Sequence, residues 1–166
     1  MRRHLFAIIM LSAVHALAQD AAATPPAAPP APAPTADEIK RVLDYQETGK
    51  DRGPVLLELV PCLKVDLTRG SPTQYNCIEP ITAPIKKGTT VNAWTAFFCP
   101  KGGSYDDLSI QFLHENQVRQ TADLKVEGFS RTRSFRSHQF SKSGKWVIKV
   151  LRGDKELGSA QVLVDP

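Results

Sequence analysis

Short runs of alternating apolar and polar residues fill the chain from Val55 to its end. In the run 89–99, every second residue from Val91 to Phe97 falls on one face, because successive side chains of a strand point to opposite faces. Further runs lie at 55–67, 108–113, 118–126, 131–140, 146–151 and 157–164. About seven strands without strand–helix alternation predict an all-β fold, an immunoglobulin-like antiparallel β-sandwich over residues 54–166.

One helix is predicted before the strands. Thr35 and Glu38 have the spacing of a capping box, in which each side chain bonds the backbone of the other residue. Ile39 and Val42 follow at helical spacing, and Gly49 can end the helix. The pattern predicts a short helix over 36–49. The proline-rich stretch 71–88 predicts mostly loop.

The N-terminus has the organisation of an export signal. Arg2 and Arg3 precede an apolar run over residues 5–17, and Ala16-Leu17-Ala18 at its end fits the small-x-small cleavage pattern. The run has about 13 residues, fewer than the roughly 20 that span a bilayer. We expect a cleaved signal peptide at 1–18, export to the periplasm or the extracellular space, and no transmembrane span after cleavage. A retained membrane anchor is the alternative.

Residues 19–35 form a tract of proline and alanine. Six of the 13 prolines lie between Pro25 and Pro34. Proline fixes φ and lacks an N–H donor, so such a tract packs neither as helix nor as sheet. We predict a disordered, extended spacer before the folded domain.

Positive charge is concentrated in the C-terminal part of the chain. The formal net charge is +4, which falls to +2 when Arg2 and Arg3 are removed with the signal. Residues 119–155 carry +7, whereas residues 36–66 carry −2. Arg131 and Arg133 fall on one face of their predicted strand, and Lys145 and Lys149 share a face of the C-terminal hairpin.

These four cations are the candidate binding residues. They could bind an anionic surface, either lipid headgroups or an acidic polysaccharide. Alternatively, they cover a solvated outer face on which lysine discourages the pairing of sheet edges. Nucleic acid is not an expected partner, because the interleaved phenylalanines are predicted to lie in the core and the protein is predicted to be exported.

Three cysteines, Cys62, Cys77 and Cys99, should oxidise in an exported protein where geometry allows. If strand 55–67 pairs antiparallel with strand 89–99, Cys62 and Cys99 could meet, and the sequence favours this pair. A Cys62–Cys77 bridge is the alternative. The remaining cysteine could form an intermolecular disulfide.

Sequence motifs for catalysis are missing. We find no G-x-S-x-G elbow, no H-E-x-x-H or C-x-x-C spacing, and no serine in an activating context. We therefore predict no enzyme activity, no catalytic residues, no metal and no cofactor, with a hydrolase as the least favoured function. Trp94 and Trp146 are predicted to lie in the core, with sugar stacking as the alternative.

A set of motifs over about residues 75–166 resembles a known family. They are Glu-Pro at 79–80, Arg-x-Arg-Ser-Phe at 131–135, Gly-Lys-Trp-x-Ile-x-Val at 144–150 and Leu-Gly-Ser at 157–159. The set resembles the bacterial envelope family called domain of unknown function 2914, which implies an extracytoplasmic β-sandwich without a known reaction. Family members carry His-x-Trp in the central hairpin, where this chain has Ile110-Gln111-Phe112, so a role of that histidine does not transfer.

Together these observations predict an exported, non-catalytic interaction module of the bacterial envelope with a structural role or a protein partner. Binding to an anionic surface through the four cations is the alternative.

Overall fold

Nine strands follow one α-helix in the computed structural model, which describes residues 34–128 and 130–166. The predicted signal peptide and all of the spacer up to residue 33 lie outside these residues. The helix α1 spans Ala36–Thr48 and continues into a 3-10 turn, Gly49–Arg52. The strands are β1 (Val55–Val65), β2 (Cys77–Pro80), β3 (Ile85–Lys86), β4 (Thr90–Cys99), β5 (Ser104–His114), β6 (Gln117–Glu127), β7 (Ser130–Gln139), β8 (Gly144–Arg152) and β9 (Lys155–Asp165).

The strands form two sheets. One has the order β2-β1-β4-β7 and the other β3-β9-β8-β5-β6. All pairs are antiparallel except β3 with β9. The predicted all-β sandwich is confirmed, with nine strands where about seven were predicted and with one parallel pair. The stretch 71–88, predicted to be mostly loop, contains the short strands β2 and β3, which pair with the distant strands β1 and β9.

The main core lies between the sheets and follows the predicted alternation. Val91 and Phe97 share one face of β4, as predicted, and this face points inward and meets the inner faces of β5 and β8. Trp146 of β8 stacks on Phe140 with 4.2 Å between ring centroids. Gly158 allows close packing of β9 on β1, since a Cβ atom at this position would lie 2.9 Å from Leu56 Cδ2.

Among the described residues, the hydrogen bonds that attach helix α1 to the sandwich lie at its C-terminal end. The predicted capping box between Thr35 and Glu38 is present. The Lys101 N–H donates to the Gln46 carbonyl at 2.9 Å, and the Tyr105 hydroxyl donates to the carbonyl of Lys50 at 2.8 Å. The apolar stripe of α1 stays exposed, and no residue of the helix is buried. Across residues 34–128 and 130–166, no helix is both long and apolar enough to span a bilayer.

Candidate binding groove

A second apolar cluster lies on the outer face of the four-stranded sheet. It consists of Cys62, Val65, Trp94 and Ala96. Trp94 and Ala96 alternate along β4 with the inward-facing residues of the main core, so they point away from it. A loop over residues 66–76, here called the cover loop, lies beside this cluster and contacts Trp94 through Tyr75. Its contacts with Trp94 therefore give the sheet a small core on its outer face.

Asp66 holds the cover loop in shape. Its carboxylate accepts hydrogen bonds from the Thr68 N–H at 2.8 Å and from the hydroxyls of Ser71 and Thr73 at 2.7 Å each. These bonds favour the charged form, so they hold the pKa of the Asp66 carboxyl far below its usual range. The loop thus depends on an ionised Asp66.

Tyr75 connects the cover loop to the cluster beneath it. Its φ of 63° is in the left-handed region, which is uncommon for a residue other than glycine. Its carbonyl accepts a hydrogen bond from the Trp94 indole at 2.6 Å. The indole N–H of the buried Trp94 therefore has a hydrogen-bond acceptor. With Trp94 4% and Trp146 1% exposed, both are core residues as predicted.

The disulfide joins Cys62 to Cys77, so the favoured prediction of a Cys62–Cys99 bridge is wrong and the alternative is confirmed. Strands β1 and β4 do pair antiparallel, but Cys62 lies opposite Asn92. Cys99 is further along β4 by about 24 Å at the rise of a strand, and it points to the inner face. The register and the face of the sheet together exclude that pair.

The expectation that the third cysteine could form an intermolecular bridge is also wrong. Cys99 is the free cysteine, and it is completely buried in the main core. Burial disfavours the thiolate and raises the pKa of its thiol. A partner thiol cannot reach Cys99 in the folded protein.

An open groove of about 440 Å³, here called the outer-face groove, lies beside the cover loop. Val60 and Trp94 contribute apolar surface from the middle of the sheet. One side is formed by Cys77 at the end of the cover loop and by Pro80, the other by Glu58, Arg131 and Arg133. The groove therefore combines an apolar surface with two guanidinium groups.

The two arginines of the groove differ in their pairing. Arg131 Nη2 donates to Glu58 Oε1 at 2.5 Å, across β4. Arg133 is exposed and has no ion pair or side-chain hydrogen bond with any residue that the structure describes. One cation is therefore satisfied within the chain and the other is available to a ligand.

The structure divides the four candidate cations between opposite faces. Arg131 and Arg133 lie on the outer face of the four-stranded sheet. Lys145 and Lys149 alternate with core residues of β8, so they lie on the outer face of the other sheet. Lys149 also pairs with Glu156 at 2.8 Å. Only the two arginines share a groove.

Sequence reasoning missed Glu58 and the wall of the groove. Glu58 is the single charged residue between Val55 and Leu63. A lone carboxylate within such an apolar run indicates a specific role, and this signal is present in the sequence. Pro80 and Cys77 reach the groove through the pairing of β2 with β1, which local pattern does not predict.

The two histidines of the described domain are structural. His114 is buried, and its Nε2 lies 2.8 Å from the Ser143 carbonyl oxygen. His138 packs against Phe112 and Trp146, and burial lowers the pKa of its imidazole. Within residues 34–128 and 130–166, no three His, Cys, Asp or Glu side chains gather so as to hold a metal ion.

Two solved structures are similar to this fold. An immunoglobulin-like protein from Pseudomonas aeruginosa is 15% identical, with 68% of this chain and 96% of that chain covered and a TM-score of 0.44. An alkylpurine DNA glycosylase from Pseudomonas fluorescens, bound to DNA with an abasic-site analog, is 14% identical, covers 69% and 31%, and has a TM-score of 0.41. No protein-family model and no curated protein matches the chain. These likenesses assign no function.

Proposed function

We propose that this protein is an exported, non-catalytic binding module of the bacterial envelope, and that its outer-face groove binds an acidic group of a protein partner. The observation that carries the proposal is the unequal pairing of Arg131, which is held by Glu58, and Arg133, which has no partner among the described residues. A ligand carboxylate on Arg133 would form charge-assisted hydrogen bonds above an apolar surface.

Further features of the sequence and the structure support the other parts of the proposal. The Cys62–Cys77 disulfide is typical of proteins in oxidising compartments. The N-terminal pattern described above is typical of exported proteins. Membership of the domain of unknown function 2914 family stays a prediction and would agree with an envelope location. The groove offers guanidinium groups, which hold anions but stay protonated near neutral pH, so they suit binding rather than proton transfer.

Charge reversal in the groove tests the proposal. The full chain and the variant Arg133→Glu are used to capture partners from envelope extracts at low and at physiological salt. Arg119→Glu, on exposed β6 of the other sheet, is the matched control. We expect Arg133→Glu to lower the capture of an acidic partner at least tenfold and Arg119→Glu to leave it unchanged. Equal capture by all three proteins would refute the groove as the binding site.

Binding to a planar anionic surface is the second candidate. Such a surface meets one outer face at a time, so it can contact the arginine pair or the pair Lys145 and Lys149, but not both. Sedimentation with anionic and neutral liposomes separates the two functions. Salt-sensitive sedimentation with anionic liposomes alone, lost in Arg133→Glu, would favour the surface over a protein partner.

A further inference from the structure

Strand β7 is the edge of the four-stranded sheet, and the direction of its backbone groups follows from Pro61. Proline has no N–H, and the Pro61 carbonyl accepts from the Ile81 N–H at 2.9 Å, on the side away from β4. Bonded and non-bonded pairs alternate in an antiparallel ladder. Pro61 and Ala93 are therefore a pair without backbone hydrogen bonds between them. The next residue of β4, Trp94, consequently directs its backbone N–H and C=O groups toward β1.

The alternation continues into β7. Since Trp94 directs its backbone toward β1, its neighbours Ala93 and Thr95 bond β7 on the other side. The β7 residues opposite Trp94, Ala96 and Phe98 consequently direct their N–H and C=O groups away from the sheet. These residues are Phe135, Arg133 and Arg131. The Phe135 carbonyl agrees, because it accepts from Arg136 Nη1 at 2.9 Å.

The chain closes only the second half of this edge. Arg136 bonds the Phe135 carbonyl and also donates to the Asp123 carbonyl of β6 at 2.8 Å. In the first half, the backbone groups of Arg131 and Arg133 have no outward partner among the described residues. The same two residues place their side chains in the outer-face groove. An open backbone edge and a cationic groove therefore share two residues.

We propose that an extended acidic segment of a partner protein adds as a strand to β7 at Arg131 and Arg133. The backbone of the added segment bonds the backbone of Arg131 and Arg133. The acidic side chains of the segment lie beside the two guanidinium groups on the outer face, since neighbouring strands place paired side chains about 5 Å apart. This inference rests on the proposed function and names its partner. A second copy of β7 does not fit, because β7 has three arginines and no acidic residue.

Short peptides test strand addition directly. Three eight-residue probes are added to the full chain: alternating Thr and Glu, alternating Thr and Lys, and the Thr-Glu peptide N-methylated at its four central residues. The last keeps the charge and loses the backbone donors. We expect the first peptide to bind at least tenfold more tightly than the other two.

Amide hydrogen exchange locates the added strand. With the Thr-Glu peptide, exchange of the Arg131 and Arg133 amides should slow at least tenfold. The Thr132 and Ser134 amides, which already bond β4, should change little. Equal binding of the N-methylated peptide, or unprotected Arg131 and Arg133 amides, would refute strand addition. If strand addition were refuted but the acidic Thr-Glu peptide still bound in a way that depends on Arg133, the proposed function would stand.

Two variants separate charge from backbone. Arg133→Gln keeps the N–H, so it should weaken the Thr-Glu peptide about tenfold and retain amide protection at saturation. Arg133→Pro also removes the outward N–H, which an edge strand tolerates, and should abolish binding. A similar unfolding midpoint of the two variants verifies that Pro is accommodated. Full binding by Arg133→Pro would contradict the proposal.

Discussion

The two apolar clusters of this sandwich share strand β4 but are closed in different ways. On its inner face, Val91 and Phe97 are covered by a complete second sheet. On its outer face, Trp94 and Ala96 have no second sheet over them among the described residues; partly buried Val60, Cys77 and Phe135 pack beside them, and the cover loop bonds the Trp94 indole through its Tyr75 carbonyl. A sheet covers a neighbouring sheet through its regular alternation, whereas a loop needs local bonds to stay in place. The outer cluster therefore depends on a disulfide and on one carboxylate, and the inner core does not.

The largest effect is expected from breaking the inner core. Trp146→Ala removes a side chain that is 1% exposed, stacks on Phe140 and donates to the Lys142 carbonyl. Truncation of a buried tryptophan costs about 3–5 kcal/mol of unfolding free energy. Urea denaturation measures the loss, and Trp146→Phe serves as the milder variant if the alanine variant does not fold. A loss under about 1 kcal/mol would show that the sheets do not form the main core.

Removing the disulfide should weaken the outer cluster. The double variant Cys62→Ala with Cys77→Ala removes a disulfide between cysteines that are 15 positions apart in the sequence. Such a bridge contributes about 2–4 kcal/mol, mainly by restricting the unfolded chain. We expect a lower urea midpoint together with a red shift of Trp94 fluorescence. Cys99→Ala is the control for loss of a cysteine, and an equal Trp94 shift in this control would contradict the assignment.

Acid should act on the outer cluster through Asp66. Its pKa in the folded protein is far below the roughly 3.9 of an unfolded aspartate, so its stabilisation is complete above about pH 5. Stability is lost as the pH falls through 4 toward the folded pKa. Asp66→Asn should remove this part of the acid dependence in urea titrations at pH 3–7. The turn residue Asp154, changed to Asn, is the control and should leave the profile unchanged.

The smallest effect on stability is expected at the rim of the groove. Glu58→Gln breaks the exposed ion pair with Arg131, which should change the unfolding free energy by no more than about 0.5 kcal/mol. The same change frees Arg131, so affinity for an acidic peptide should rise while stability stays constant. Fluorescence anisotropy with the Thr-Glu peptide checks this separation. A large loss of stability would mean that the pair supports the sheet.

Sequence pattern predicted more of the inner core than of the outer cluster. The alternation from Val91 to Phe97 separated the two faces of β4 correctly without saying which is the inner one, and the capping box located α1. The Cys62–Cys99 pairing was wrong because a pattern of period 2 does not specify register. A slip by two residues leaves every side chain on its own face, so alternation alone does not place a strand against its partner, and Cys62 lies opposite Asn92 instead.

The sequence by itself determined which elements form and which of their faces are apolar, since both follow from local backbone preference and from the burial of apolar side chains. Tertiary structure alone decided which polar groups meet. It brought Glu58 to Arg131, left Arg133 without a side-chain partner among the residues that the structure describes, and moved Lys145 and Lys149 to the opposite face. The physical reason is that distant strands are brought together by their register and by a covering loop, and neither is written in the alternation of a single strand.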